Sequence, residues 1–151
     1  MRRGTILFIA VLGTCFGLGT GLRAPDQQEA FFAVRVYVDS GDDALAAYQA
    51  EVVISDGGAS LVGVEGGNAD AFTRAPYYDP RALHDGAGRV VIADFIRGST
   101  PAPKGDVHVA TLHFYGSIDA PMNAALHASG SGADNRIRAA VRLEPIERSV
   151  P

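Results

Sequence analysis

The chain has 151 residues, 47% of them hydrophobic, and a formal net charge of -4 from 13 basic and 17 acidic side chains. That is one domain's worth of material, with apolar content for one core and an acidic balance that phosphate backbones would repel, which argues against nucleic acid as a partner. The single cysteine, Cys15, stands near the N-terminus and leaves the body without an internal disulfide, while 18 glycines and 8 prolines favour many turns over long helices.

Met1-Arg2-Arg3 makes a positive start, and residues 4–22 carry no charge around a dense apolar centre, Ile6-Leu7-Phe8-Ile9-Ala10-Val11-Leu12. This order is that of an export signal. Residues 1–24 are therefore expected to form a hydrophobic signal peptide or signal-anchor helix, and the protein to be secreted or extracytoplasmic. Gly17-Leu18-Gly19 offers a small-x-small cleavage site. Left uncut, ~19 uncharged residues just reach across a bilayer, so residues 4–22 would be the chain's attachment to the membrane. Leu12-Gly13-Thr14-Cys15 resembles a lipobox, with Thr14 where a smaller residue is usual. Residues 25–31 read as a polar spacer.

A first strand is expected from Phe32 to Val38, where Val34, Val36 and Val38 alternate with Ala33, Arg35 and Tyr37. Asp39-Ser40-Gly41-Asp42-Asp43 breaks it with turn-forming residues. Asp39, Asp42 and Asp43 form a weak candidate for Ca²⁺, without the ligand spacing of an EF-hand loop. A second strand covers Leu45 to Ile54 and a third Leu61 to Glu65. The short Asp56-Gly57-Gly58-Ala59 connection predicts that they pair as an antiparallel hairpin.

Asn68 to Gly88 has no convincing period and reads as a long loop with at most one helical turn. It carries Phe72, Arg74, Tyr77, Tyr78, Asp79 and His84, aromatic and charged side chains of the kind enriched in interface hot spots, and is the candidate binding loop. The same residues could instead fold back as a lid over a sheet face. A fourth strand, Arg89 to Phe95, is nearly continuous in apolar residues, with Asp94 near its end. After a loop from Gly98 to Gly105 comes the clearest buried strand, Val107 to Tyr115. Alternation puts Ala110, Leu112 and Phe114 on one face with His108, and Val107, Val109, Thr111 and His113 on the other. A weaker strand at Asn123 to Ala128 and a last one at Arg136 to Leu143 complete the series, with residues 147–151 as a tail.

Seven to nine short strands without an ordinary amphipathic helix predict an all-β, two-sheet sandwich of jelly-roll type, with a closed barrel as the rival. Tyr48-Gln-Ala-Glu-Val-Val-Ile54, Leu61-Val-Gly-Val-Glu-Gly-Gly67, Gly88-Arg-Val-Val-Ile-Ala-Asp-Phe95 and Val109-Ala-Thr-Leu-His-Phe114, in this order, resemble the cohesin domain of bacterial extracellular proteins. The resemblance covers residues 32–146. It implies a sandwich that works by binding a protein partner, similar to some carbohydrate-binding modules. The family's Tyr-Asp-Pro after the second strand is replaced here by Ser55-Asp56-Gly57, and Tyr78-Asp79-Pro80 lies in the later loop, so no partner contacts carry over.

Catalytic readings do poorly. His84, His108, His113 and His127 form no paired metal pattern, and the odd spacing of His108 and His113 predicts opposite faces of one strand. No serine has a nucleophile-elbow context, and Glu51, Glu65, Asp79 and Asp94 would pair as glycosidase carboxylates only by accidents of folding. The sequence therefore points to no catalytic residues, no cofactor and no metal. It suggests a binding module for an extracytoplasmic protein, with a polysaccharide as the alternative ligand; a total lack of Trp weakens the latter.

Overall fold

The computed structural model describes residues 29–86, 88–132 and 135–146, without the side chain of Asp56. The expected export segment and C-terminal tail lie outside the described residues. No helix among the described residues is long and apolar enough to cross a membrane.

Eight strands form two antiparallel four-stranded sheets. They are β1 (Glu29–Asp39), β2 (Ala47–Ile54), β3 (Ala59–Gly66), β4 (Tyr77–Tyr78), β5 (Arg89–Phe95), β6 (Asp106–Ser117), β7 (Met122–Gly130) and β8 (Ala140–Ile146). Sheet A has the order β3-β6-β1-β8 and sheet B the order β4-β5-β2-β7. The one α-helix among the described residues, α1 (Arg81–His84), is a single turn.

The inward face of sheet A carries Phe32, Val34, Val36 and Val38 of β1 beside Val107, Ala110, Leu112 and Phe114 of β6, all buried. Sheet B answers with Tyr48, Ala50, Val52 and Ile54 of β2 and with Val90 and Ile92 of β5. Period-2 alternation is thus the source of the two layers, since each strand has one face that only another sheet can cover.

Four expectations need correction. β2 and β3 are not a hairpin, because β2 pairs with β5 and β7 whereas β3 pairs with β6. Both strands bury a core face, so the Ser55–Gly57 turn carries the chain across from one layer to the other. The supposed spacer ends early: Glu29, Ala30 and Phe31 already pair with Ser117, Gly116 and Tyr115. The last strand starts at Ala140, not Arg136. Arg136 only bridges Gly130, and Ile137 and Ala139 pack against the side of the core before the chain enters sheet A.

The fourth correction concerns β6, central in its sheet. Val36 pairs with Ala110 but Tyr37 with His108, so Val109 is an extra residue in a bulge. The bulge resets the alternation. Val107, opposite Val38, joins the core face, while His108 and His113, opposite Tyr37 and Ala33, lie together on the outer face.

Candidate functional site

The outer face of sheet B has two cross-strand rows near one end. In one, Tyr77 of β4 stands opposite Ala93 of β5, Ala93 opposite Gln49 of β2, and Gln49 opposite Ala128 of β7. In the next, Phe95 stands opposite Ala47, and Ala47 opposite Gly130. Side chains directly opposite one another sit side by side, so the small residues make a low floor. Tyr77 and Phe95 rise on one side and Asn135 and Arg136 on the other, enclosing an open trough of about 530 Å³.

The aromatic wall is exposed, Tyr77 at 60% and Phe95 at 50%. Their rings are nearly parallel, 12° apart with centroids 6.3 Å apart. The Arg97 guanidinium lies over both, 5.2 Å from the Tyr77 centroid and 5.0 Å from that of Phe95. Arg97 is held there by Asp94, whose Oδ1 accepts a bond from it at 3.2 Å and from the Phe95 N–H at 2.9 Å. Asp94 is the inward residue at the end of β5 and is buried, so the strand's one interior charge is matched by an arginine that reaches back from the following loop. Beneath it the Tyr48 hydroxyl donates to the Val109 carbonyl at 3.4 Å. Burial, and secondarily the Asp94 charge, push that phenol far up, so it stays neutral.

Further along the same face, Glu51 accepts bonds from Arg89 and from His127 Nε2, the latter at 2.7 Å. His127 is the extra residue of a bulge in β7, which turns it toward β2. Arg89 first, and His127 second, hold the Glu51 carboxyl below the ordinary glutamate range.

Of the six candidate loop residues, only Tyr77 lines the trough. Phe72 is completely buried, edge-on to Tyr48 with centroids 5.4 Å apart. Tyr78 points the other way from Tyr77 and packs against the core opposite Ile92. Asp79 accepts bonds from the backbone and side chain of Arg81, which lower its pKa. Arg74 and His84 are exposed and away from the trough. The loop is therefore partly lid and partly rim.

The candidate carboxylates also stay apart: Glu51 engages Arg89 and His127, Glu65 lies by His113 on sheet A, Asp79 binds Arg81 and Asp94 binds Arg97. Asp39, Asp42 and Asp43 do not converge, and Asp39 Oδ1 accepts the Gly41 N–H at 3.0 Å instead. Among the described residues no three His, Cys, Asp or Glu side chains are grouped to hold a metal ion.

Phe95, Arg97, Gln49 and Arg136 were not singled out by the sequence pattern. The available signal was the recurrence of alanine at outward positions of three strands, Ala47, Ala93 and Ala128, which leaves the floor of the trough low. Comparison of the chain with profiles of known protein families, with curated proteins and with solved structures gives no match.

Proposed function

We propose that this protein is an exported, non-catalytic binding module, a cohesin-like sandwich of jelly-roll type, that takes an extracytoplasmic protein partner in the sheet B trough. The observation that carries this reading is the exposed Tyr77–Phe95 pair under Arg97, standing beside a floor of alanine and glycine. Tyrosine, phenylalanine and arginine supply large contact area at modest entropic cost, and a low floor admits a partner's side chains. The lining groups also make poor catalysts, since Asp94 is tied to Arg97 and Tyr48 is held neutral.

A polysaccharide is the second reading, favoured by the two near-parallel exposed rings. Against it, Arg97 already lies over the rings on which a sugar would stack. One pair of substitutions tests both readings. Tyr77→Ala with Phe95→Ala should abolish cross-linking to a partner in envelope extract while leaving the melting temperature nearly unchanged. Glycan-array binding by the unaltered protein, lost in the double variant, would favour the sugar instead. Partner capture unaffected by the double change would sink the trough as the site.

A further inference from the structure

Three of the six exposed large hydrophobic side chains among the described residues gather at the opposite end of the sandwich, on and beside sheet A. Phe31 is 57% exposed, Tyr115 41% and Ile118 44%. Phe31 and Tyr115 are cross-strand partners on the outer face, their ring centroids 4.9 Å apart, and Ile118 lies in the turn that follows β6. Beside them is an apolar groove of about 200 Å³ between Phe31, Phe32, His113 and Ile146.

We propose that this end of the sandwich rests on a lipid surface, with Phe31, Tyr115 and Ile118 in the headgroup region. The inference depends on residues 4–22 remaining in the chain as a membrane anchor. Only Arg23 to Gln28 separate that apolar run from Glu29, the first residue of β1. Fully extended, such a link spans at most ~25 Å, so the β1 start cannot stray far from the bilayer. Tyrosine is enriched at the membrane–water boundary, where its apolar ring and its hydroxyl are both accommodated, and Phe31 and Ile118 add apolar area for the headgroup–acyl boundary to cover. Glu29 and Asp119 flank the patch, so the fitting surface is a zwitterionic one and not an anionic one.

The orientation also suits the proposed trough. The β2 end at Ile54 pairs with Met122 and adjoins the Gly58–Ser117 contact, which places it at the Phe31 end; the other end, Ala47, adjoins Phe95 and Gly130. A molecule standing on Phe31 holds Tyr77, Phe95 and Arg97 away from the lipid.

The chain contains no tryptophan, so Phe31→Trp, Tyr115→Trp and Tyr77→Trp each give a single fluorescent reporter in the full-length protein. In phosphatidylcholine vesicles, the first two should shift to shorter wavelength and lose intensity when the acyl chains are brominated, while the third does neither. Urea midpoints matching the unaltered protein would show that each variant is folded. A chain that floats with vesicles but leaves Trp at position 31 unquenched would overturn the docking and spare the anchor. A chain that does not float would overturn both. Blue-shifted emission at position 31 without vesicles would mean that another part of the chain covers the patch, which also refutes the proposal.

Discussion

His108 shows how a single side chain can be fixed in one protonation state by its surroundings. Its Nδ1 accepts the Asn68 N–H at 3.2 Å, while Nε2 donates toward the Ala110 carbonyl at 3.0 Å, with Thr111 Oγ1 at 3.1 Å. The ring also lies against that of Tyr37, tilted by 32° with centroids 5.1 Å apart. Protonating Nδ1 would turn an acceptor into a donor facing another donor. Burial is the main cause that lowers the His108 pKa below the ordinary histidine value, and the Arg35 charge adds to it against the opposing Ala110 bond. The folded state therefore binds this proton less readily than the unfolded chain, and the stabilisation is complete above the unfolded pKa of about 6.5 and declines as pH falls below it. Urea midpoints should drop between about pH 7.5 and pH 5.5, and His108→Gln should make that drop smaller. An identical drop in the variant would assign it to other groups. Close by, Gly67 passes so near β6 that an added Cβ would fall on the His108 carbonyl, which explains why this approach is made by glycine.

At the scale of elements, the stretch between β3 and β5 divides its work. Its 3-10 turn, Asp70–Phe72, plugs one end of the core, whereas β4 adds a two-residue edge strand to sheet B. Phe72→Ala should therefore cost about 3–5 kcal/mol in urea melts, and Tyr77→Ala only about 0.5 kcal/mol or less. Comparable losses at the two positions would mean that lid and rim are not distinct. From sequence, β1 was legible because its inward valines alternate strictly, and Arg89 to Phe95, nearly continuous in apolar residues, was bounded to the residue. Pairing was less legible. A four-residue link between two half-apolar strands serves a hairpin or a crossing between layers equally well, and only the partners of β2 and β3 decide. The β6 bulge was hidden for a related reason, since every residue from Val107 to Leu112 is buried, the polar His108 and Thr111 included, and no exposed residue marks the slip. Of the site, Tyr77 was visible as an aromatic in a long loop, but its neighbours come from β5, β2 and the segment after β7, which the chain order keeps apart.

In the whole molecule, stability depends on contacts between the chain's distant parts. β1 is bounded by β6 and β8, with Ala33 opposite both His113 and Ile146. β8 covers one long edge of β1 and brings Val141 and Leu143 against the core. Ending the chain after Ala139 should therefore abolish the cooperative urea transition instead of merely lowering its midpoint, as read by circular dichroism; a retained sharp transition would show β8 to be dispensable. The same pairing sets a schedule for the growing polypeptide. At roughly 5–20 residues per second, the ribosome needs several seconds after making β1 before β8 exists. Throughout that time the first strand lacks a permanent neighbour on that side. The distance in sequence between β1 and β8 thus keeps sheet A incomplete, with one edge of β1 uncovered, until Ala140–Ile146 have been made.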